Sequence, residues 1–177
     1  MGLLKKSKTE KELTKFILEN KESLYRIAYS YVKNQEDALD IVQESIHKAL
    51  IHINTLENQI SLKSWFYKII VNTSLDYLRK YKRLSVVDAT VMEALANGSE
   101  DEYHDLDLQA AIDHLPDKYK TIILLRYFED MKIEEIAKIV DENVNTIKTR
   151  LYRALKLLKV ELDEDLTIEE DKHGKKF

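Results

Sequence analysis

The sequence predicts an all-α protein of two small helical domains joined by an acidic linker, and three observations carry that reading. Only three glycines and one proline occur in 177 residues, whereas a sheet protein needs turn residues at every hairpin. Apolar residues recur at three- and four-residue spacing through two long blocks, and no stretch alternates convincingly with period two. Charge is segregated. Residues 11–83 carry a net +3 and residues 108–160 a net +2, while 84–107 hold seven Asp and Glu and no Lys or Arg. The formal total of −4 therefore hides two basic blocks, an acidic connector and an acidic tail at 161–177. Local patches, not the total, govern contact with phosphates.

Composition narrows the class further. With 44% hydrophobic and 34% charged residues the chain reads as globular rather than disordered. The absence of Cys excludes disulfide scaffolds, thiolate metal sites and thiol nucleophiles. The first residues are too short in their apolar part for a signal peptide. No apolar run approaches the ~18 residues that span a bilayer. The expected setting is the cytoplasm.

In the first block an early helix is outlined by Phe16, Ile17, Leu24, Ile27, Ala28 and Tyr31. A second runs from about 37 to 53, with Ala38, Ile41, Val42, Ser45, Ile46, Ala49 and Ile53 on one face and Asp37, Asp40, Gln43, Glu44 and His47 on the other. Polar residues at 54–59 read as a loop. A long helix from about 61 to 82 follows, dense in Trp65, Phe66, Ile69, Ile70, Leu75 and Leu78, and it ends in the basic run 79–83. Asn97, Gly98, Ser99 and the acids around them form the natural linker.

The second block predicts helices over about 107–114, 117–129, 132–140 and 145–162, with Pro116 placed near the start of the second. Residues 132–159 are the most informative. Ile133, Ile136, Ala137 and Val140 make a short apolar stripe, and 141–144 is a polar break of turn length. Asn145 is the expected N-cap of the last helix. There Ile147, Leu151, Ala154, Leu155, Leu158 and Leu162 share one side, and Thr149, Tyr152, Arg153 and Lys156 the other, flanked by Lys148 and Arg150. Five basic residues and no acidic one lie between 145 and 160. Two short helices meeting at a tight turn describe a helix-turn-helix, whose second helix suits a major groove. The same basic face also fits an ordinary solvated surface.

At this point the sequence resembles a known family. LPDKYK at 115–120, LRYFED at 125–130, IEEIA at 133–137 and NTIKTRLYRA at 145–154 are similar to the C-terminal domain of extracytoplasmic-function (ECF) sigma factors, of the sigma-70 superfamily. YSYVKN at 29–34, DALDIVQE at 37–44 and SWFYKIIVNT at 64–73 resemble their N-terminal domain. The resemblance covers roughly residues 11–162 and implies sigma region 2 over 10–84, a flexible acidic linker over 85–106, sigma region 4 over 107–163 and a charged tail over 164–177.

It also implies roles. Asp37, Asp40, Gln43 and Glu44 would bind the β′ coiled coil of core RNA polymerase, although sequence alone favours an ordinary solvated helix face. Leu56, Glu57 and Asn58 would receive a flipped base of the −10 promoter element, with Asn72 beside it and Arg79, Lys80, Lys82 and Arg83 tracking the backbone. Asn72 also fits a helix-packing role. Thr146, Lys148, Thr149, Tyr152 and Arg153 would read the −35 element, with Arg150 and Lys156 on phosphates. The family implies an anti-sigma partner, often membrane-anchored, a stress-response regulon, and neither cofactor nor small-molecule substrate. Where the family commonly has Gly in the helix-turn-helix turn and before the recognition Thr, this chain has Asp141 and Asn145, which tolerate left-handed geometry better than most.

Other classes fit less well. His47 and His52 are five apart and split across helix faces, Glu134 and Glu135 are adjacent, and no Gly-rich phosphate loop exists, so catalysis is not expected. An autonomous helix-turn-helix repressor would need a dimerisation element. A helical module for acidic proteins remains a third reading.

Overall fold

The structure, a computed structural model, describes residues 2–56, 61–85 and 103–173. Every secondary-structure element among them is helical. The chain divides into two compact units, the first carrying α1 to α3 and the second α4, α5, most of α6 and α7. Most of the expected linker, together with Glu57 and Asn58, lies outside the described residues.

In the first unit α1 (Gly2–Val32), α2 (Gln35–His52) and α3 (Leu62–Ser85) each pack on the other two. The joint between α1 and α2 is two residues long. Lys33 turns left-handed at φ 53° and its N–H donates to the Tyr29 carbonyl at 2.9 Å, which closes α1. Asn34 then caps α2, its side chain accepting from the Asp37 N–H at 3.0 Å. A 3-10 turn over Ile53–Thr55 ends the second helix, and the Ser61 hydroxyl opens α3 by accepting from the Ser64 N–H at 3.1 Å.

The expected apolar face of α2 is the one that is buried. Ala38, Ile41, Ser45 and Ala49 are fully enclosed, while Val42 and Ile46 are half-buried. They meet Leu24, Ile27 and Ala28 of α1 and Phe66, Tyr67, Ile70 and Val71 of α3 in one core. Leu13 belongs to it as well, ahead of the stripe read from the sequence. Phe16 closes the end of the core against Phe66 and Tyr67, with ring centroids 5.7 and 6.3 Å apart. Each large buried side chain stabilises the unit by roughly 1.5–3 kcal/mol. Three serine hydroxyls taken into this core are satisfied locally. Ser30, Ser45 and Ser74 donate to the carbonyls of Ile27, Ile41 and Ile70 at 2.6, 2.7 and 2.8 Å.

The second unit is built from α4 (Tyr103–His114), α5 (Asp117–Ile123), α6 (Ile133–Ile139) and α7 (Val144–His173), with α7 packed on α4 and α5. Its core is Ala111, Ile112, Ile122, Ile123, Leu125, Met131, Ile136, Ile147 and Ala154. Three boundaries differ from expectation. The fourth helix begins at Tyr103 rather than near 107. The helix expected to reach 129 keeps α geometry only to Ile123 and widens into a π turn over Leu124–Phe128. There the Glu129 N–H reaches the Leu124 carbonyl, Asp130 turns left-handed at φ 49°, and the Arg126 guanidinium donates to the Met131 carbonyl at 2.9 Å. The last helix runs on to His173 instead of stopping near 162. No Gly or Pro occurs between Val144 and His173, so nothing in the covalent chain breaks it before Gly174.

Candidate nucleic-acid interface

The helix-turn-helix is made by α6, a four-residue turn and the start of α7. Residue 141 must be left-handed for the turn to close, and Asp141 has φ 54°. The following N–H, of Glu142, donates to the Ala137 carbonyl at 3.0 Å, a six-to-one bond of the Schellman kind. Asp141 thus occupies the turn position expected for a glycine. Asn145 does not need that freedom, and it is not the cap. The structure moves the expected cap of the recognition helix by two residues and its start by one: Asn143 accepts from the Thr146 N–H at 2.8 Å, and α7 begins at Val144. The left-handed residue at 141 turns the chain early enough for 143 to be the last non-helical position. Asn145 therefore lies in the first turn, where its carbonyl accepts from the Thr149 hydroxyl at 3.0 Å.

Packing then fixes which face of α7 is free. Ile147, Ala154 and Leu158 are buried and Leu151 is half-buried, whereas Leu155, expected on the apolar side, is 41% exposed. Lys148, Thr149, Tyr152, Arg153 and Lys156 are all exposed, and Tyr152 stands out at 72%. Spacings of one, four, five and eight put these five on one stripe of the helix. Thr146 is half-buried. Arg150 is set apart from the stripe: its guanidinium is paired with the Glu142 carboxylate at 2.6 Å and both side chains are largely covered. It fastens the turn to the recognition helix. The stripe thus presents three cations, a hydroxyl and an aromatic ring with no carboxylate among them. That combination suits phosphates at the rim and base edges within a major groove.

In the first unit the expected docking face of α2 divides in two. Asp40, Gln43 and Glu44 are exposed, and Glu44 lies 2.8 Å from Lys48, whose ammonium also donates to Thr73 of α3 at 3.2 Å. Asp37 is half-buried, and its carboxylate accepts a 2.5 Å hydrogen bond from the phenol of Tyr77 on α3. That bond pushes the Tyr77 pKa up to about 12, with partial burial and the charge of Asp37, then of Asp40 and of Tyr81, adding to it. Asn72 is exposed on α3, which leaves it accessible rather than packed between helices. Arg79, Lys80 and the ring of Tyr81 are exposed, Arg79 pairing with Asp76 at 3.1 Å. Leu56 is half-buried at the end of the 3-10 turn. Lys82 and Arg83 continue the α3 backbone, and their side chains lie outside the described residues, as does the rest of the 56–58 loop.

Three pairings escaped the sequence reading. The Asn143 cap had a local signal, an Asx residue three before Thr146, but Asn145 offered a competing one. Glu142 to Arg150 and Tyr77 to Asp37 carry no periodic signal at all.

A helical unit with an exposed acidic face and a basic end, followed by a helix-turn-helix unit with an exposed basic stripe, has the make-up of a DNA-binding protein. Sigma-70 region 2 matches residues 16–84, and Sigma-70, region 4 matches residues 105–158. RNA polymerase sigma factor SigV of Bacillus subtilis (strain 168) is 57% identical over 164 residues, which is 92% of this chain and 99% of that protein. ECF RNA polymerase sigma factor SigW of the same organism is 31% identical over 157 residues, covering 80% and 84%. The fold matches that of the sigma factor RpoE, solved in complex with the anti-sigma factor NepR from Bartonella quintana, with a TM-score of 0.74 at 24% identity over 86% of this chain and 98% of that one. The chain belongs to the sigma-70 family of RNA polymerase sigma factors, in the ECF group. Its function is that of the family: association with core RNA polymerase and promoter-specific transcription initiation. Such factors are regulators of initiation, not enzymes. Among the described residues, no helix is long and apolar enough to cross a membrane.

Proposed function

We propose that the two units divide promoter recognition between them, with region 2 over 10–84, an acidic linker over 85–106, region 4 over 107–163 and a charged tail over 164–177. Lys148, Thr149, Tyr152 and Arg153, with Thr146 at the helix start, read the −35 element, and Lys156 neutralises phosphate beside them. The observation that carries this reading is the exposed, acid-free stripe on α7 held by the Schellman turn at Asp141. Arg150, engaged by Glu142, supports the stripe rather than extending it. In the first unit Asn72 and the 56–58 loop receive an unstacked base of the −10 element, and Arg79, Lys80, Lys82 and Arg83 follow the displaced strand. Asp37, Asp40, Gln43 and Glu44 meet the β′ coiled coil of the core enzyme. The polymerase supplies the chemistry, and this chain contributes no catalytic group and needs no cofactor. The setting is cytoplasmic, the regulon one of stress response, and the regulator an anti-sigma factor anchored at the membrane.

The experiment joins purified core polymerase, this chain and a supercoiled promoter library, with sequencing of the transcripts. Initiation at a common pair of −35 and −10 elements, dependent on the chain, is expected. Tyr152→Ala lowers discrimination at one −35 position by about 1–3 kcal/mol, the range for a lost base contact. A uniform loss over all promoters would remove Tyr152 from base readout. Tight binding to one sequence by the chain alone, without any effect on initiation, would return the reading to a repressor.

A further inference from the structure

The acidic face of α2 is not a row of equivalent carboxylates. Asp37 sits in the first turn of that helix, its own N–H held by the Asn34 side chain at 3.0 Å. Its carboxylate is reached from α3, forty residues on, by the Tyr77 hydroxyl at 2.5 Å. Asp40, one turn further along α2, is exposed. A tyrosine is an unusual choice of partner for a surface carboxylate, for which Lys or Arg would be the common one. A phenol donates one hydrogen bond and brings no charge. It selects a rotamer for the carboxylate and leaves its negative charge and remaining lone pairs open to a cation from outside. A lysine in the same place would satisfy the acid and cancel its field.

We infer that Tyr77 is a positioning residue for core-polymerase binding, holding the Asp37 carboxylate ready for a basic group of the docking partner without neutralising it. The inference rests on the docking role proposed for the acidic face of α2. Its physical content is pre-organisation. An unrestrained Asp samples several rotamers, and binding would have to select one and immobilise it. The bond also fixes the first turn of α2 against α3, so the direction of the carboxylate is set by the core of the unit rather than by the surface. The ionisation of Tyr77 is displaced to about 12, so the phenol remains a donor at any pH at which the complex forms.

The test measures the Kd of the full chain for core RNA polymerase, by titration of labelled protein, for wild type, Tyr77→Phe, Asp37→Ala and the double variant. Thermal unfolding of each is followed in parallel, and binding is measured well below the lowest midpoint. Tyr77→Phe is expected to weaken binding about three- to tenfold, the scale of one hydrogen bond. Asp37→Ala is expected to weaken it by about tenfold or more, as loss of a charged contact does. The double variant should bind like Asp37→Ala alone, because without the carboxylate the phenol has nothing to orient. A purely structural tyrosine would weaken binding in both backgrounds, and that additivity overturns the proposal. So does a Tyr77→Phe protein that binds as wild type while Asp37→Ala is impaired. If Asp37→Ala binds as wild type, the docking role of Asp37 falls and the positioning role falls with it.

Discussion

Arg150 provides the sharpest test of the interface, because sequence and structure assign it differently. Its position in a basic helix suggests a phosphate contact, yet its guanidinium lies 2.6 Å from the Glu142 carboxylate with the two side chains only 27% and 33% exposed. At an effective dielectric of about 20 and a charge separation of about 4 Å the gross attraction is about 4 kcal/mol. Desolvation and the immobilisation of two flexible side chains offset most of it and leave about 1 kcal/mol, the upper end for a partly exposed pair. Arg150→Ala and Glu142→Ala should therefore each lower the local stability of the second unit, with a coupling energy of about 1 kcal/mol in a double-mutant cycle. Amide hydrogen exchange along α7 reads that stability for this unit alone, which a global melt of two units does not. Promoter binding by the reconstituted holoenzyme gives the complementary number. Arg150→Ala should leave the slope of log affinity against log salt unchanged, whereas Lys156→Ala should lower its magnitude by about 1, one phosphate's worth of released counterion. A drop of about one in the slope for Arg150→Ala, with α7 protection unaltered, would refute the reasoning and return Arg150 to the phosphates.

Two further outcomes follow from local geometry. Asn143→Ala removes the side-chain acceptor of the Thr146 N–H and should destabilise the start of α7 by about 1 kcal/mol, while Asn145→Ala should cost only a few tenths; exchange rates of the first-turn amides distinguish them. Tyr77 has its pKa raised from the ordinary 10 to about 12, so the protonated phenol is the form the fold favours. That contribution is complete below pH 10 and is lost as pH rises towards about 12. A titration of tyrosinate absorbance should place Tyr77 among the late-ionising phenols, and Tyr77→Phe and Asp37→Asn should each reduce the late amplitude by one phenol; an unchanged curve in both variants would remove the bond from solution.

The relation between sequence and structure is uneven, and the unevenness has a physical cause. Helical periodicity predicted which face of α2 turns inward, because burial acts on side chains whose directions the helix itself determines. The stripe of Lys148, Thr149, Tyr152, Arg153 and Lys156 was legible for the same reason, whereas the left-handed turn at 141 was implied only by the family resemblance. The family was legible from motifs in both blocks. Helix ends were less so, since α7 outruns its apolar stripe and caps compete locally. Asn143 and Asn145 are chemically identical candidates, and only the path of the turn chooses between them.

The sequence by itself determined the helical class, the two units, the family and the composition of each candidate face. Tertiary structure alone decided which members of those faces are free to meet a partner. Asp37 and Tyr77 are forty residues apart, and Glu142 and Arg150 eight apart across a turn. Such pairs form because packing delivers two side chains to one place, and no spacing along a single helix encodes that. A charged face read from sequence is therefore a set of candidates, and the fold selects from it by engaging some of them elsewhere.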